Sequence, residues 1–279
     1  MPELPEVEVV RRDLEKEFTG KRIKTAEVSG SPRSVRRQAS PEEFVERLAG
    51  RKVTKVGRRG KYLLMFLDGG DVLVVHLGMS GQLLRPKSAR ESAPKHTHVV
   101  ITFTQGPPLR FVDPRTFGEM FVTSAANLDE IEELAHLGVD PLETAMSWDY
   151  FGQLLHQRRT KLKPLLMDQK FVAGVGNIYS DEILWEAGLR WDRLSNELSP
   201  EEVRRLYRAM VEILQSAVKY RGSSLSDQQY VDLQGNAGTY QEHHNVYARE
   251  GQQCPRCRAI VVRSKVGGRS TFYCESCQV

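Results

Sequence analysis

The chain has 279 residues, 40 basic against 36 acidic side chains, a formal net charge of +4 and a pI near 8.8. That length supports two or three domains with substantial cores, and the mild basic excess permits nucleic-acid binding without requiring it. No apolar run approaches the roughly 18 residues that a membrane-spanning helix needs and no apolar leader follows Met1, so a soluble cytoplasmic protein is expected, with its four cysteines not paired as disulfides.

The chain opens MPELPEVEVVRRDLEKEF. Pro5 suits a first helical turn, where its missing N–H is no loss, and it biases Leu4 away from helical geometry. A helix is therefore expected to start near Pro5, with Val7, Val10, Leu14 and Phe18 as one apolar stripe and Met1 to Leu4 as a free arm. Removal of Met1, usual before a small residue, would leave the secondary amine of Pro2 just ahead of a helix N-terminus, next to Glu3 and Glu6. Such an amine is an uncommon nucleophile.

From about 21 to 124 the stretches KRIKTAEV, RKVTKVG, KYLLMFLD, DVLVVHLG, HVVITFT, PLRFVD and GEMFVT read as strands separated by turn residues, with a tight hairpin at Asp68-Gly69-Gly70-Asp71. So many short strands predict an antiparallel sandwich or barrel flanked by the N-terminal helix. Ser40-Pro41-Glu42-Glu43, a cap followed by proline and an acidic first turn, predicts a second short helix among the strands.

Beyond about 130 the period becomes helical. Ser147 opens a helix through Trp148, Phe151, Leu154 and Leu155, and Ser199-Pro200-Glu201-Glu202 opens a longer one carrying Val203, Leu206, Met210, Ile213, Leu214 and Ala217. Between them, in MDQKFVAGVGNIYSDEILWEAGL, Gly174 and Gly176 interrupt one helix and Asn177 is placed to cap the next, which runs to Gly188. GVGNIYS lacks the third glycine and the preceding strand of a dinucleotide site. Two glycines ahead of a helix N-terminus instead allow close approach of a phosphate, although a plain helix-helix turn has the same appearance. Residues 221 to 251 are polar and aperiodic and read as a long mobile loop. His96 and His98 alternate on one strand without a carboxylate partner nearby and read as ordinary strand residues.

The strongest single pattern is Cys254-x2-Cys257-x16-Cys274-x2-Cys277, the spacing of two knuckles that clamp one structural Zn²⁺ ion with four thiolates. Zinc would there take the place of a hydrophobic core. From Arg249 onward six basic residues face two acidic ones, and a hairpin across VVRSKVGGRSTFY would project Arg263, Lys265 and Arg269 outward.

PELPEVE, HLGMSGQL at 76 to 83, DPRTFG at 113 to 118, GVGNIYSDEILW at 174 to 185 and the four-Cys tail together resemble the formamidopyrimidine-DNA glycosylase family, in order and along nearly the whole chain. The resemblance implies an α+β protein with an N-terminal antiparallel β-sandwich and flanking helices over 1–130, a helix-two-turn-helix domain with a lesion loop over 131–246, and a C-terminal zinc finger hairpin over 247–279. It implies a monomeric enzyme that removes oxidised purines from double-stranded DNA and then nicks the strand at the abasic site. Pro2 would form a Schiff base with the sugar, Glu3 would shuttle protons, Glu6 would hold the terminus, and Lys61 and Lys163 would contact phosphates near the lesion. For Glu6, simple complementarity to the helix dipole is the alternative. By the same resemblance Asn177 and Arg269 grip flanking phosphates, while Met79, Arg115 and Phe117 fill the hole left by the extruded base. Taken alone, Met79 and Phe117 read as core residues. Ser223 and Ser224 match the loop over the purine only loosely. Thr116 stands where many relatives carry a second Arg, and Ala248 where Gly is usual. A sister glycosylase for oxidised pyrimidines and a non-catalytic zinc-containing DNA-binding protein remain as alternatives; Leu4 favours the purine branch, and Pro2, Glu3 and Lys61 together favour an enzyme.

Overall fold

In the computed structural model of the chain, which describes residues 1–88, 90–225 and 229–279, helix α1 spans Leu4–Phe18 and has Pro5 in its first turn. Val7, Val10, Leu14 and Phe18 are buried as the stripe requires, and Phe18 stacks on Phe103 with ring centroids 4.6 Å apart. The expected free arm is not free. Pro2, Glu3 and Leu4 are all buried, because Leu4 begins the helix and lies wholly inside, drawing the two residues before it inward.

The chain forms two units, Met1–Ala135 with Tyr220–Thr239, and His136–Lys219 with Tyr240–Val279. The first holds β1 (Ile23–Val28), α2 (Pro41–Leu48), β2 (Val53–Arg59), β3 (Tyr62–Leu67), β4 (Asp71–His76), β5 (Gln82–Leu84), β6 (Thr97–Phe103), β7 (Leu109–Val112), β8 (Glu119–Ser124) and α3 (Glu132–Ala135). The strands make two four-stranded antiparallel sheets in the orders β1-β6-β7-β5 and β2-β3-β4-β8. Val99, Ile101 and Phe111 of the first and Leu63, Met65, Leu73 and Val75 of the second enter one apolar core, which settles the choice for a sandwich. Gly69 and Gly70 turn the β3–β4 hairpin with φ of +91° and +89°, where side chains are disfavoured. Ser40 Oγ accepts the Glu43 N–H at 3.2 Å and the Glu43 carboxylate accepts the Ala39 N–H at 2.8 Å, closing the start of α2. The three residues of β5 and the four of α3 are too short to show a period in sequence.

The second unit holds α4 (Trp148–His156), α5 (Leu162–Leu166), α6 (Asn177–Ala187), α7 (Pro200–Lys219) and the hairpin β9 (Val262–Val266) and β10 (Arg269–Tyr273). Ser147 Oγ caps α4 at Tyr150 N, and the Ser199 and Glu202 side chains cap one another's backbones ahead of α7. Asn177 is not the cap of α6. Gly176 takes that position and Asn177 is the first helical residue, since Gly176 supplies the extended backbone at φ −135° and no side-chain cap is made. The helix ends at Gly188 in the left-handed conformation, φ +69°.

The polar stretch after α7 is built rather than loose. Tyr220–Thr239 returns to the first unit, where Tyr230 and Leu233 join the sandwich core and the Arg221 guanidinium bridges Asp13 and Asp232. Asp232 in turn accepts the N–H groups of Gln234 and Asn236 at 3.0 and 2.9 Å. In sequence these anchors are isolated in polar surroundings, so they give no period. Ser226, Asp227 and Gln228 of that stretch lie outside the described residues. Among the described residues, no helix is long and apolar enough to cross a membrane.

Candidate active site and nucleic-acid interface

The N-terminal residues are fixed by one carboxylate. Glu6 Oε2 accepts the Glu3 N–H at 2.8 Å and Glu6 Oε1 accepts the Ser223 N–H at 2.7 Å, so Glu6 ties the start of α1 to the Ser223 segment. Glu3 and Glu6 are 3% and 1% exposed. Gly222 sits at φ +77°, and a Cβ there would lie 2.7 Å from Glu6 Oε1, so only glycine lets the backbone approach this carboxylate. Ser224 Oγ donates to the Tyr230 carbonyl and accepts the Gly238 N–H, at 2.7 and 2.9 Å, bracing the same segment. The dipole reading of Glu6 is therefore incomplete, since the carboxylate makes specific bonds at both ends.

Lys61 follows Gly60 in the β2–β3 turn and is buried. Arg58 fixes that turn. Its fully buried guanidinium donates to the Gly60 carbonyl at 2.9 Å and pairs with Glu8 of α1 at 3.1 Å. Burial acts to raise the Glu8 pKa, but Arg11, Arg12 and Arg58 outweigh it and hold the carboxyl below its ordinary value. The turn carrying Lys61 is thereby joined to the helix whose start carries Pro2.

Met79, Arg115 and Phe117 are gathered on the sandwich unit. Met79 is 38% and Phe117 51% exposed, which rejects the core reading for both. The Arg115 guanidinium lies 5.0 Å from the centre of the Phe117 ring. Large apolar groups left in water beside a cation suit insertion into stacked bases better than they suit a solvated surface.

In the second unit the expected phosphate lysine is turned inward. Lys163 is 0% exposed; its Nζ donates to Asp181 Oδ1 at 2.7 Å and to the Ser270 carbonyl at 3.2 Å, while Asp181 Oδ2 accepts the Phe272 N–H at 2.9 Å. Burial pushes the Asp181 carboxyl up to about 7, opposed by the Lys163 ammonium. Lys163 is thus a strut that fastens β10 to α6 rather than a surface arm, because a carboxylate as buried as Asp181 needs a cation that reaches it from inside. Asn177 is half-buried at the start of α6, and Arg269 is exposed at the start of β10. His98 is an ordinary strand residue, with Nδ1 accepting the Ser31 N–H and Nε2 donating to the Asp113 carbonyl.

Sequence reasoning passed over Glu182. Wholly buried in α6, it accepts the N–H groups of Asn245, Val246 and Tyr247 and the Asn245 amide, at 2.8 to 3.1 Å, and so positions the chain leading to the finger. Burial pushes its carboxyl up while those N–H groups pull it back. The available signal was two adjacent acids in NIYSDEILWEA, a helix otherwise rich in apolar residues.

The thiols of Cys254, Cys257, Cys274 and Cys277 lie within 4.8 Å of one another, with Cys254–Cys277 at 3.9 Å and Cys257–Cys274 at 3.5 Å. Four sulfurs placed about 2.3 Å from a tetrahedral Zn²⁺ stand roughly 3.8 Å apart, so the donor set fits one structural zinc and leaves no open position. The Trp185 indole N–H points at Cys254 Sγ, 3.4 Å away, and Trp185, Val246 and Val261 pack around Cys254 and Cys274. The finger therefore has a small apolar core of its own, shared with α6, in addition to the ion.

Family models match three segments: the formamidopyrimidine-DNA glycosylase N-terminal domain over residues 1–120, the formamidopyrimidine-DNA glycosylase H2TH domain over 137–229, and the zinc finger found in FPG and IleRS over 251–279. A formamidopyrimidine-DNA glycosylase of Pelotomaculum thermopropionicum is 44% identical over 280 residues, covering 100% of this chain and 99% of that one. The crystal structure of the MutM (Fpg) protein of Thermus thermophilus is 41% identical, with a TM-score of 0.88 over 99% of this chain and 98% of that one. Wild-type Lactococcus lactis Fpg, in complex with DNA containing N7-benzyl-Fapy-dG, is 34% identical, with a TM-score of 0.89 over 99% of both chains.

Proposed function

The chain belongs to the formamidopyrimidine-DNA glycosylase family, and we propose that its reaction runs on the secondary amine of Pro2. The enzyme excises oxidised purines from duplex DNA, formamidopyrimidines and 8-oxoguanine among them, and nicks the strand at the abasic site it creates. The Pro2 nitrogen attacks C1′ of the extruded nucleotide, the glycosidic bond breaks, and the base leaves with the bonding pair and takes up a proton. Opening of the sugar ring then yields a permanently charged iminium, an electron sink for β- and δ-elimination of the two phosphates. Glu3 moves protons to the sugar oxygen and in the eliminations, and Lys61 holds a phosphate beside it. Met79, Arg115 and Phe117 enter the duplex, where Arg115 pairs with the orphaned cytosine. Asn177 and Arg269 grip backbone phosphates, and the segment of Ser223 and Ser224 closes over the purine.

The observation that carries this reading is the seating of the terminus: Glu6 holds the Glu3 N–H at 2.8 Å, one residue from the reacting nitrogen. A nucleophile must be held near its target, and a loose arm would not do so. In this reading the enzyme acts as a monomer on chromosomal DNA in the cytoplasm.

Borohydride added during reaction with an 8-oxoguanine duplex should crosslink protein to DNA. Pro2→Gly should lose crosslinking and nicking by at least about a hundredfold while DNA affinity stays within about threefold. Equal loss of both would make Pro2 a structural residue. Faster turnover of thymine glycol than of 8-oxoguanine would assign the enzyme to the pyrimidine branch.

A further inference from the structure

Two separate loops carry the groups that enter the duplex: the β4–β5 connection holds Met79 and the β7–β8 connection holds Arg115 and Phe117. One buried carboxylate joins them. Asp113, 0% exposed, accepts the Ser80 hydroxyl at 2.6 Å and the Arg115 N–H at 3.2 Å on Oδ1, and the Gly118 N–H at 2.7 Å on Oδ2. Its own carbonyl accepts the His98 Nε2–H at 2.8 Å, which anchors it to β6. The backbones also meet directly: Gly78 lies at φ +61°, and a Cβ there would stand 2.5 Å from Gly118 N and 2.6 Å from the Phe117 carbonyl carbon. Arg115 and Gly118, which bound the segment of the two inserting side chains, are thus held by the same group that holds the neighbour of Met79.

We propose that Asp113 is a positioning residue that locks the two loops into one rigid probe and so sets how strictly Arg115 reads the base opposite the lesion. Three donors converge on an acceptor that has none to give back, which an ionised carboxylate satisfies and a carboxamide does not. In Asp113→Asn the amide nitrogen must face either the Gly118 N–H, which frees the far end of the β7–β8 connection, or the Ser80 and Arg115 donors, which weakens the bond between the two loops. Ser80→Ala removes the bond that Asp113 makes to the Met79 loop and leaves the bonds to Arg115 and Gly118 in place, so any effect on Arg115 must pass through the coupling of the two loops.

The proposal rests on the reading of Arg115 as the group that pairs with the orphaned base, and the test separates the two. Single-turnover excision of 8-oxoguanine opposite cytosine and opposite adenine gives a discrimination ratio for the wild type, Arg115→Ala, Asp113→Asn and Ser80→Ala, with folding checked by thermal melting. Asp113→Asn should cut the ratio about tenfold, and Ser80→Ala should cut it by about threefold, although Ser80 lies on the other loop. If Arg115→Ala keeps the wild-type ratio, the reading of Arg115 fails. If Arg115→Ala loses the ratio while folded Asp113→Asn or Ser80→Ala keeps it, the positioning role alone is overturned. Should Asp113→Asn not fold, Ser80→Ala decides by the same criterion.

Discussion

Thr116 and Ala248 stand at φ +56° and +59°, a region in which a Cβ crowds the following carbonyl at a cost of about 1–2 kcal/mol per residue. A glycine at either position would sit without that strain. His76 has the clearest pH consequence. Burial against Tyr62, 4.6 Å away between ring centres, pushes its pKa down to about 4 from an ordinary 6.5. A histidine depressed in the folded state favours folding above its unfolded pKa and loses that contribution as pH falls through the folded value. Stability should therefore decline between pH 6.5 and 4, with His76 alone responsible for about 2 kcal/mol by pH 5. Urea unfolding of the wild type and His76→Gln at pH 7.5 and 5 checks this, and the variant should show the flatter dependence. Nothing in DVLVVHLG marked that histidine, because its depression comes from neighbours distant in sequence.

Among elements, α6 owes its place to polar groups as much as to apolar ones. Ile178, Ile183 and Leu184 are buried, and so are Ser180, Asp181 and Glu182, so no amphipathic stripe divides the helix. Two of those acids fasten other parts of the second unit, Asp181 to β10 through Lys163 and Phe272, and Glu182 to the Asn245–Tyr247 backbone. Removing one member of the buried pair strands the other. Lys163→Met should cost about 3–5 kcal/mol, and adding Asp181→Asn should recover much of that loss, since no unpaired charge then remains. Thermal midpoints of the two variants test this; if the single change is as mild as the double, the pair is not a strut. DNA affinity should fall in both, because Arg269 begins the strand that the pair anchors. The capping boxes, the Gly188 terminator and the four-cysteine spacing were legible, being local rules, whereas α5 ends at Leu166, well ahead of the Gly174 and Gly176 expected to interrupt it. The Lys163–Asp181 pairing was not, since its partners are 18 residues apart and join two different helices.

At the scale of the whole molecule, each unit has its own means of cohesion. The sandwich unit closes around a large apolar core that includes Tyr230 and Leu233. The finger relies on zinc, assisted by the cluster around Trp185 and by the bonds of Lys163 and Asp181 to β10. Chelation should therefore melt the finger and weaken DNA binding at least about tenfold while the sandwich signal in circular dichroism persists. Unchanged affinity in the metal-free protein would show that the finger does not contact DNA. Local chemistry written in the sequence decided the longer strands and helices and the four-cysteine metal site, because periodicity, caps and ligand spacing act over a few positions. Tertiary structure decided that Met79 and Phe117 face water, that Lys163 faces inward, that 220–239 returns to the sandwich, and that Asp113 holds two loops. Each of those depends on which distant backbone supplies a partner or removes water, and no local pattern encodes that.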